Sequence, residues 1–253
     1  MKKTGISHRR YALILGGIFL VWWLFLAINP YDRKDWALEN VIVVFAVACL
    51  ALTTQRFPLS RVSYTFLFVF LCLHEVGAHY TYSEVPYDRW FEAAFGQSLN
   101  SMVGWNRNNF DRVVHLSYGL LLAYPIREVF HRVAQAKGFW GYFLPLEFTM
   151  ATSMLFELFE WLAAEFFGGS LGVAYLGTQG DIWDAQKDML MASLGALVAM
   201  LVTAGINMYL QRDFAREWAD SFKVKEKAPL GEDEIKRMLH RRRHDDPRND
   251  SDK

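Results

Sequence analysis

Six stretches of this chain, 11–28, 38–54, 62–82, 111–127, 142–167 and 186–210, are apolar over about the length needed to cross hydrocarbon. Inside a bilayer the backbone must satisfy its own hydrogen bonds, so each run is expected to be a helix. The fold class that follows is all-α: six transmembrane helices in one bundle over residues 1–210, then a charged tail over 211–253. The composition agrees, at 53% apolar and 16% aromatic. The apolar runs imply a lipid bilayer as partner, and the net charge of zero implies no nucleic acid. Cys49 and Cys72 both lie within apolar runs and read as small core residues rather than a disulfide.

The first run follows Lys2, Lys3, His8, Arg9 and Arg10, as in a signal peptide. It is longer than a signal core and ends without a small-x-small pattern, so it reads as a retained first span. With six spans, 21 of the 27 lysines and arginines fall on the side that holds both termini. The positive-inside rule then places both termini in the cytoplasm and the loops 83–110 and 168–183 outside. The first of these loops holds Trp90, Phe91 and Phe95 among charged residues, a pattern suited to a short interfacial helix. The second is rich in glycine and is expected to fold back between helices.

Polar groups at membrane depth narrow the reading further. His74, Glu75 and His79 close the third run, Asp111 and His115 open the fourth, Glu157 and Glu160 close the fifth, and Asp181, Asp184 and Asp188 lead into the sixth. At 1.5 Å per residue the groups on spans three, four and five all come out roughly 18–27 Å above the cytoplasmic edge. Ionisable groups at such depth cost several kcal/mol unless paired or functional. The expectation is therefore one polar site facing the outer side.

The spacing suggests its chemistry. In H-E-V-G-A-H the histidines are five apart and do not share a helix face, which argues against a zinc-protease helix. Glu75 with His79, Asp111 with His115, and Asp184 with Asp188 are each four apart; Glu157 and Glu160 are three apart. Carboxylates and histidines brought in from several helices are how bundles build metal sites. The candidate metal ligands are Glu75, His79, His115, Glu157 and Asp188, with Glu160 and Asp111 as candidate catalytic acids. Such a donor set suits zinc, iron or manganese. The same groups would equally serve a metal-free catalytic or transport site, or a buried network that only holds helices together. Asp111 and Asp181 are the ones most easily read as wet headgroup residues. Glu147, beside Pro145, reads as a structural partner for Arg127 or Arg132. Asn106, Arg107, Asn108 and Asn109 read as a headgroup contact or a helix cap. There is no G-x-S-x-G and no phosphate-binding glycine loop.

In the tail, 232–243 (EDEIKRMLHRRR) is expected to form a short helix with Ile235, Met238 and Leu239 on one face. A solvated tail and docking to anionic headgroups are both open for it.

The stretches LHEVGAHYTYSEVPYD, NRNNFDRVVHLSYGLL, ELFEWLAAEF and YLGTQGDIWDAQKDML resemble the YjdF family of bacterial inner-membrane proteins, in order and over most of residues 11–210. The resemblance implies a multi-pass inner-membrane protein. It brings no activity and no established catalytic residues, and the charged tail lies beyond it. The functional expectations are a membrane-embedded, metal-dependent hydrolase acting on a lipid or envelope substrate, an ion- or proton-coupled carrier, or a structural membrane protein.

Overall fold

The computed structural model describes residues 6–169, 178–225 and 231–244. Six long helices carry the fold: α1 (His8–Leu26), α2 (Arg33–Thr53), α3 (Arg61–His79), α6 (Phe110–Val133), α7 (Trp140–Phe167) and α8 (Asp184–Leu210). Between α3 and α6 lie the short helices α4 (Tyr87–Phe95) and α5 (Leu99–Val103), and after α8 come α9 (Phe214–Asp220) and α10 (Glu232–His244).

Burial is inverted relative to a protein in water. Large apolar side chains such as Val21, Phe25, Val41, Phe45, Leu52, Phe159 and Val202 face outward, while Asp35, Glu39, Glu75, Thr149, Ser153 and Asp188 are buried. An apolar exterior of this extent needs lipid around it. By length and composition, α1, α2, α3 and α8 are able to cross a membrane. Helices α6 and α7 are long enough but more polar, because α6 carries Asp111, Arg112, His115, Arg127, Glu128 and Arg132, and α7 carries Glu147, Glu157, Glu160 and Glu165.

The helix ends depart from the apolar runs in ways that matter for the site. Helix α2 starts at Arg33 instead of 38, since Asp32 caps it by accepting from the amides of Lys34 (2.7 Å) and Asp35 (3.2 Å). That extra turn and a half brings Asp35 into the helix one turn before Glu39. Helix α3 stops at His79 instead of 82, because Thr81 and Tyr82 take positive φ and turn the chain back. Helix α6 runs on to Val133 with Pro125 inside it, and α7 starts at Trp140, so Pro145 lies within the helix.

Neighbouring long helices run in opposite directions. At one end His79 Nδ1 donates to the Leu26 carbonyl (2.7 Å) and the Tyr31 amide to the His79 carbonyl (2.9 Å). At the other, Glu128 accepts from the Ser60 amide (2.9 Å) and the Ser63 hydroxyl (2.6 Å), and Tyr142 accepts from the Asn207 amide (2.7 Å). Helix α9 folds back on that same end. Gly138 N donates to Glu217, Trp140 Nε1 to the Ser221 carbonyl, and Trp218 stacks edge-on against Phe139.

The closest approach is between α6 and α8. Gly119 lies against the backbone of Ala192 and Ala196, and Gly195 against that of Leu116 and Leu120. Ala192, Ala196 and Ala199 continue this seam with Ala123 and Met200. Small residues let helix backbones meet where lipid offers no hydrophobic drive between them.

One local expectation changes. Glu147 is exposed and is not the partner of either arginine: Arg132 pairs with Glu128 (2.9 Å), and Arg127 lies over the Tyr142 ring at 4.7 Å. The short helix in 83–110 is present as α4. Asp88 ties it to α5 by accepting from Ser98 Oγ (2.8 Å) and the Asn100 amide (2.9 Å). Most of the glycine-rich segment, 170–177, lies outside the described residues.

Candidate functional site

The end of the bundle holding the α1–α2 turn, the C-termini of α3 and α7 and the N-termini of α6 and α8 collects most of the acids expected there. Asp111 and His115 share one face of α6, since residues four apart sit one above the other. The α6–α8 seam below them brings α8 close, and one N–O–O group forms: donor atoms of Asp111, His115 and Asp188 all lie within 4.8 Å of one another. His115 Nε2 is 3.5 Å from Asp111 Oδ1 and 3.5 Å from Glu157 Oε1 of α7. Glu160 reaches the Glu157 carboxyl from one turn on and stands in the field of Asp111 and Asp188.

Two arginines bracket this group. Arg107 Nη1 lies 2.8 Å from Asp184 Oδ1, and Arg112 Nη2 lies 2.5 Å from Asp181 and 3.0 Å from Asp184. Arg112 Nε approaches Asp188 only to 3.9 Å. Lys187 also binds Asp181, at 2.6 Å. Asp181 is in the loop before α8, and the Lys187 ammonium, then the Arg112 guanidinium, hold its carboxyl well below the usual carboxylate range. Asp181 and Asp184 are thus committed to bases. The inner acids are not: Asp188 Oδ1 and Glu157 Oε1 are buried and accept no hydrogen bond.

A second set of acids sits on α2 and α3, at the same end. Asp35, Glu39 and Glu75 are buried, and Glu75 is 0% exposed. Neither Glu75 oxygen, nor Glu39 Oε2, nor Asp35 Oδ1 has a hydrogen-bond partner. Asn40 lies beside Glu75, but its amide is engaged elsewhere, donating to the Trp36 carbonyl (2.8 Å) and accepting from Trp23 Nε1 (2.5 Å). His74 joins the two sets. Its Nδ1 is hydrogen bonded to the Tyr82 hydroxyl at 2.5 Å, and its Nε2 stands 3.9 Å from Glu39 Oε2. Tyr82 lies in the field of Glu39, Glu75, Asp111 and Glu160 together. The turn after α3 places it there, with its ring against Gly77, where a methyl group would collide at 2.6 Å.

Of the residues expected from sequence, Asp111, His115, Glu157, Glu160 and Asp188 come together. Glu75 belongs to the α2–α3 set. His79 stands apart: its Nδ1 is spent on the Leu26 carbonyl, and its ring packs edge-on against Tyr80 at 4.5 Å. Asp35, Glu39 and Tyr82 were not among the expected site residues, and His74 was expected at that depth but not as a ligand. The pair 35/39 has the same i,i+4 spacing as 111/115 and 184/188, which was the available signal. Tyr82 offers none, because its position depends on a positive-φ turn. Arg107 and Asn108 act within the protein. Arg107 donates to the Thr178 carbonyl (2.9 Å), and Asn108 exchanges hydrogen bonds with the Gln179 side chain (3.1 and 3.0 Å).

A cleft of about 920 Å³ lies at the opposite end, lined in part by Lys137, Trp140, Arg216, Glu217 and Asp220. The acid cluster itself is packed, with spacings suited to an ion rather than to a large organic ligand.

A family model described as "Predicted membrane protein (DUF2238)" matches residues 11–208. The inner membrane protein YjdF of Escherichia coli (strain K12) is 33% identical over 192 residues, covering 76% of this chain and 88% of that protein. No solved structure matches the chain.

Proposed function

The chain belongs to the YjdF (DUF2238) family of membrane proteins, and from that premise we propose that it binds a divalent cation in the outer half of a six-span bundle in the inner membrane. The six-span count adds α6 and α7 to the four helices that qualify by composition. Their charged residues lie inward or near their ends, and both alternate in direction with their neighbours. With six spans the positive-inside rule keeps both termini in the cytoplasm. The membrane assignment follows the name of the Escherichia coli relative.

One observation carries the cation reading. Asp188 Oδ1 and Glu157 Oε1 are buried without a hydrogen bond, beside a histidine nitrogen and a third carboxylate within coordination reach. Uncompensated buried carboxylates are strongly unfavourable. The nearby arginines relieve them only in part: Arg107 is engaged by Asp184, and Arg112 by Asp181 and Asp184, so that Arg112 Nε, itself without a hydrogen bond, comes no closer to Asp188 Oδ1 than 3.9 Å. Asp111, His115 and Asp188 would be the ligands, with Glu157 the fourth. One nitrogen with several carboxylate oxygens suits manganese, iron or zinc.

A bound divalent metal would supply Lewis acidity and a water that ionises near neutral pH. The protein's part is then to hold and move protons. Asp111 Oδ1 and Glu157 Oε1 both stand 3.5 Å from His115 Nε2, the nitrogen that would face the ion. Glu160, one turn from Glu157 on α7, would be the residue that takes up a proton there. Hydrolysis of a lipid or envelope substrate from the outer leaflet would need the packed cluster to open, so ion binding is the part of this reading that the spacings support. A second reading rests on the α2–α3 set. Asp35, Glu39 and Glu75 enlarge the set of buried acids at that end of the bundle, where a cation or proton carrier would bind its ion.

The test is metal content of the detergent-purified protein after loading with manganese, iron or zinc. About one equivalent is expected, lost on His115→Ala and Asp188→Asn and kept on His79→Ala. Loss of a ligand should weaken binding by more than the 10–100-fold typical of an outer partner. A parent that never retains metal, with His115→Ala merely less stable by about 1–3 kcal/mol, would leave a structural network. A metal-free parent that passes cations across liposomes would favour the carrier.

A further inference from the structure

The last described helix has an apolar face that nothing in the bundle covers. In α10, Ile235, Met238 and Leu239 fall at i, i+3 and i+4, so they form one stripe along the helix. They are 58%, 60% and 53% exposed. A three-turn helix with its apolar stripe in water is marginal by itself, so a surface that buries the stripe would stabilise it.

Charge along the helix is sorted. Glu232, Asp233 and Glu234 fill the first turn, where they suit the positive end of the helix dipole. Asp233 and Glu234 are answered from within, by Lys236 at 4.0 Å and Arg237 at 3.2 Å. The bases farther along are not: among the described residues Arg241 and Arg242 have no acidic partner. An apolar stripe with a cationic end is complementary to an anionic bilayer surface, which offers acyl chains beneath phosphate. A nucleic acid would meet the cations but leave the stripe in water.

Position points to the same partner. Helix α9 is held against the end of α7 through Glu217, Trp218 and Ser221. The chain therefore stays at the edge of the bundle until Asp220. Eleven residues then separate α9 from α10, which span at most about 40 Å when fully extended. The helix cannot leave the neighbourhood of the bilayer, and tethering makes weak surface binding effective.

We propose that α10 is a membrane-surface helix whose partner is anionic phospholipid, with Ile235, Met238 and Leu239 inserted and Arg241 and Arg242 on the headgroups. This is independent of any metal at the other end of the bundle.

The experiment uses the full-length protein carrying Cys49→Ala, Cys72→Ala and Leu239→Cys, labelled at position 239 with a polarity-sensitive dye. It is reconstituted into bilayers of phosphatidylcholine alone, or with about one third phosphatidylglycerol. A blue shift is expected only with phosphatidylglycerol. Added salt should reverse it, and Arg241→Gln with Arg242→Gln should weaken it roughly fivefold per arginine. Ile235→Asp should abolish it. An equal shift in both bilayers would show insertion without headgroup recognition and overturn the proposal. So would no shift in either, or a shift that appears only when an RNA or an acidic protein is added.

Discussion

Adding one methyl group at the α6–α8 seam tests how the fold positions the site. A Cβ built on Gly119 would lie on the Ala192 carbonyl oxygen and 2.6 Å from the Ala196 amide nitrogen. The opposing atoms are backbone, so no rotamer change relieves the clash. Restoring an ordinary separation of about 3.5 Å from the carbonyl oxygen requires the helices to part by roughly 1.5 Å. Overpacking typically costs 1–3 kcal/mol, and Gly119→Ala should fall at the upper end, about 3 kcal/mol. Gly195→Ala meets Leu120 N at 2.7 Å across the same seam and should behave alike. Once the helices have parted, the second methyl costs less, so the double variant should be less destabilised than the two singles added together. Gly16→Ala is the control. Nothing lies within 4 Å of its Cβ, and it should be neutral or gain up to about 1 kcal/mol in helix propensity. The assay is reversible denaturation in detergent, with metal content measured alongside. His115 lies one turn before Gly119 and Asp188 one turn before Ala192, so the same displacement should loosen the Asp111–His115–Asp188 group. Gly119→Ala and Gly195→Ala both within about 0.5 kcal/mol of the parent would refute the close approach.

Two further outcomes follow from the loops. Lys187 and Arg112 lower the folded pKa of Asp181 below its ordinary 3.8. Its stabilising contribution is therefore fully present above that value and is lost as pH falls through the lowered pKa. Asp181→Asn should lower thermal stability near neutral pH and flatten the acid limb below pH 4; an unchanged acid limb would count against this pairing. For orientation, a cysteine replacing exposed Gln97, in a background lacking Cys49 and Cys72, should react with an impermeant thiol reagent in intact cells. Reaction only after permeabilisation would reverse the topology.

Length and hydropathy made the long helices legible, because the rise per residue is fixed and the apolar runs are bounded by charge. The boundaries were less so. Asp32 starts α2 five residues before the apolar run by capping, a local hydrogen bond that a hydropathy window passes over. Thr81 and Tyr82 end α3 early through positive φ, although both are residues that continue a helix as readily as they leave it. The α6–α8 seam had a signal in the small residues Ala192, Gly195, Ala196 and Ala199 at spacings of three and four. That pattern says a helix approaches closely, but not which one.

The candidate site shows the same division between what spacing fixes and what packing fixes. Pairs such as Asp111/His115 and Asp184/Asp188 are consequences of helix geometry alone and could be read directly. Which pairs meet depends on the seam. His79 has the right residue type and the right depth, yet the end of α1 arrives first and takes its Nδ1 through the Leu26 carbonyl. Glu75 has the same depth but is turned toward α2, where Glu39 and Asp35 lie. Those two acids escaped notice because the run RKDWALEN reads as a polar flank. In the fold it is the first two turns of a helix packed among the others, and Asp35 and Glu39 are nearly as buried as Asp188. A polar flank and a buried acid pair are the same letters until a cap residue decides where the helix begins. Asp32 therefore does more than satisfy two amides: by starting α2 early it carries Asp35 and Glu39 inward and makes the acid cluster extend beyond α6, α7 and α8.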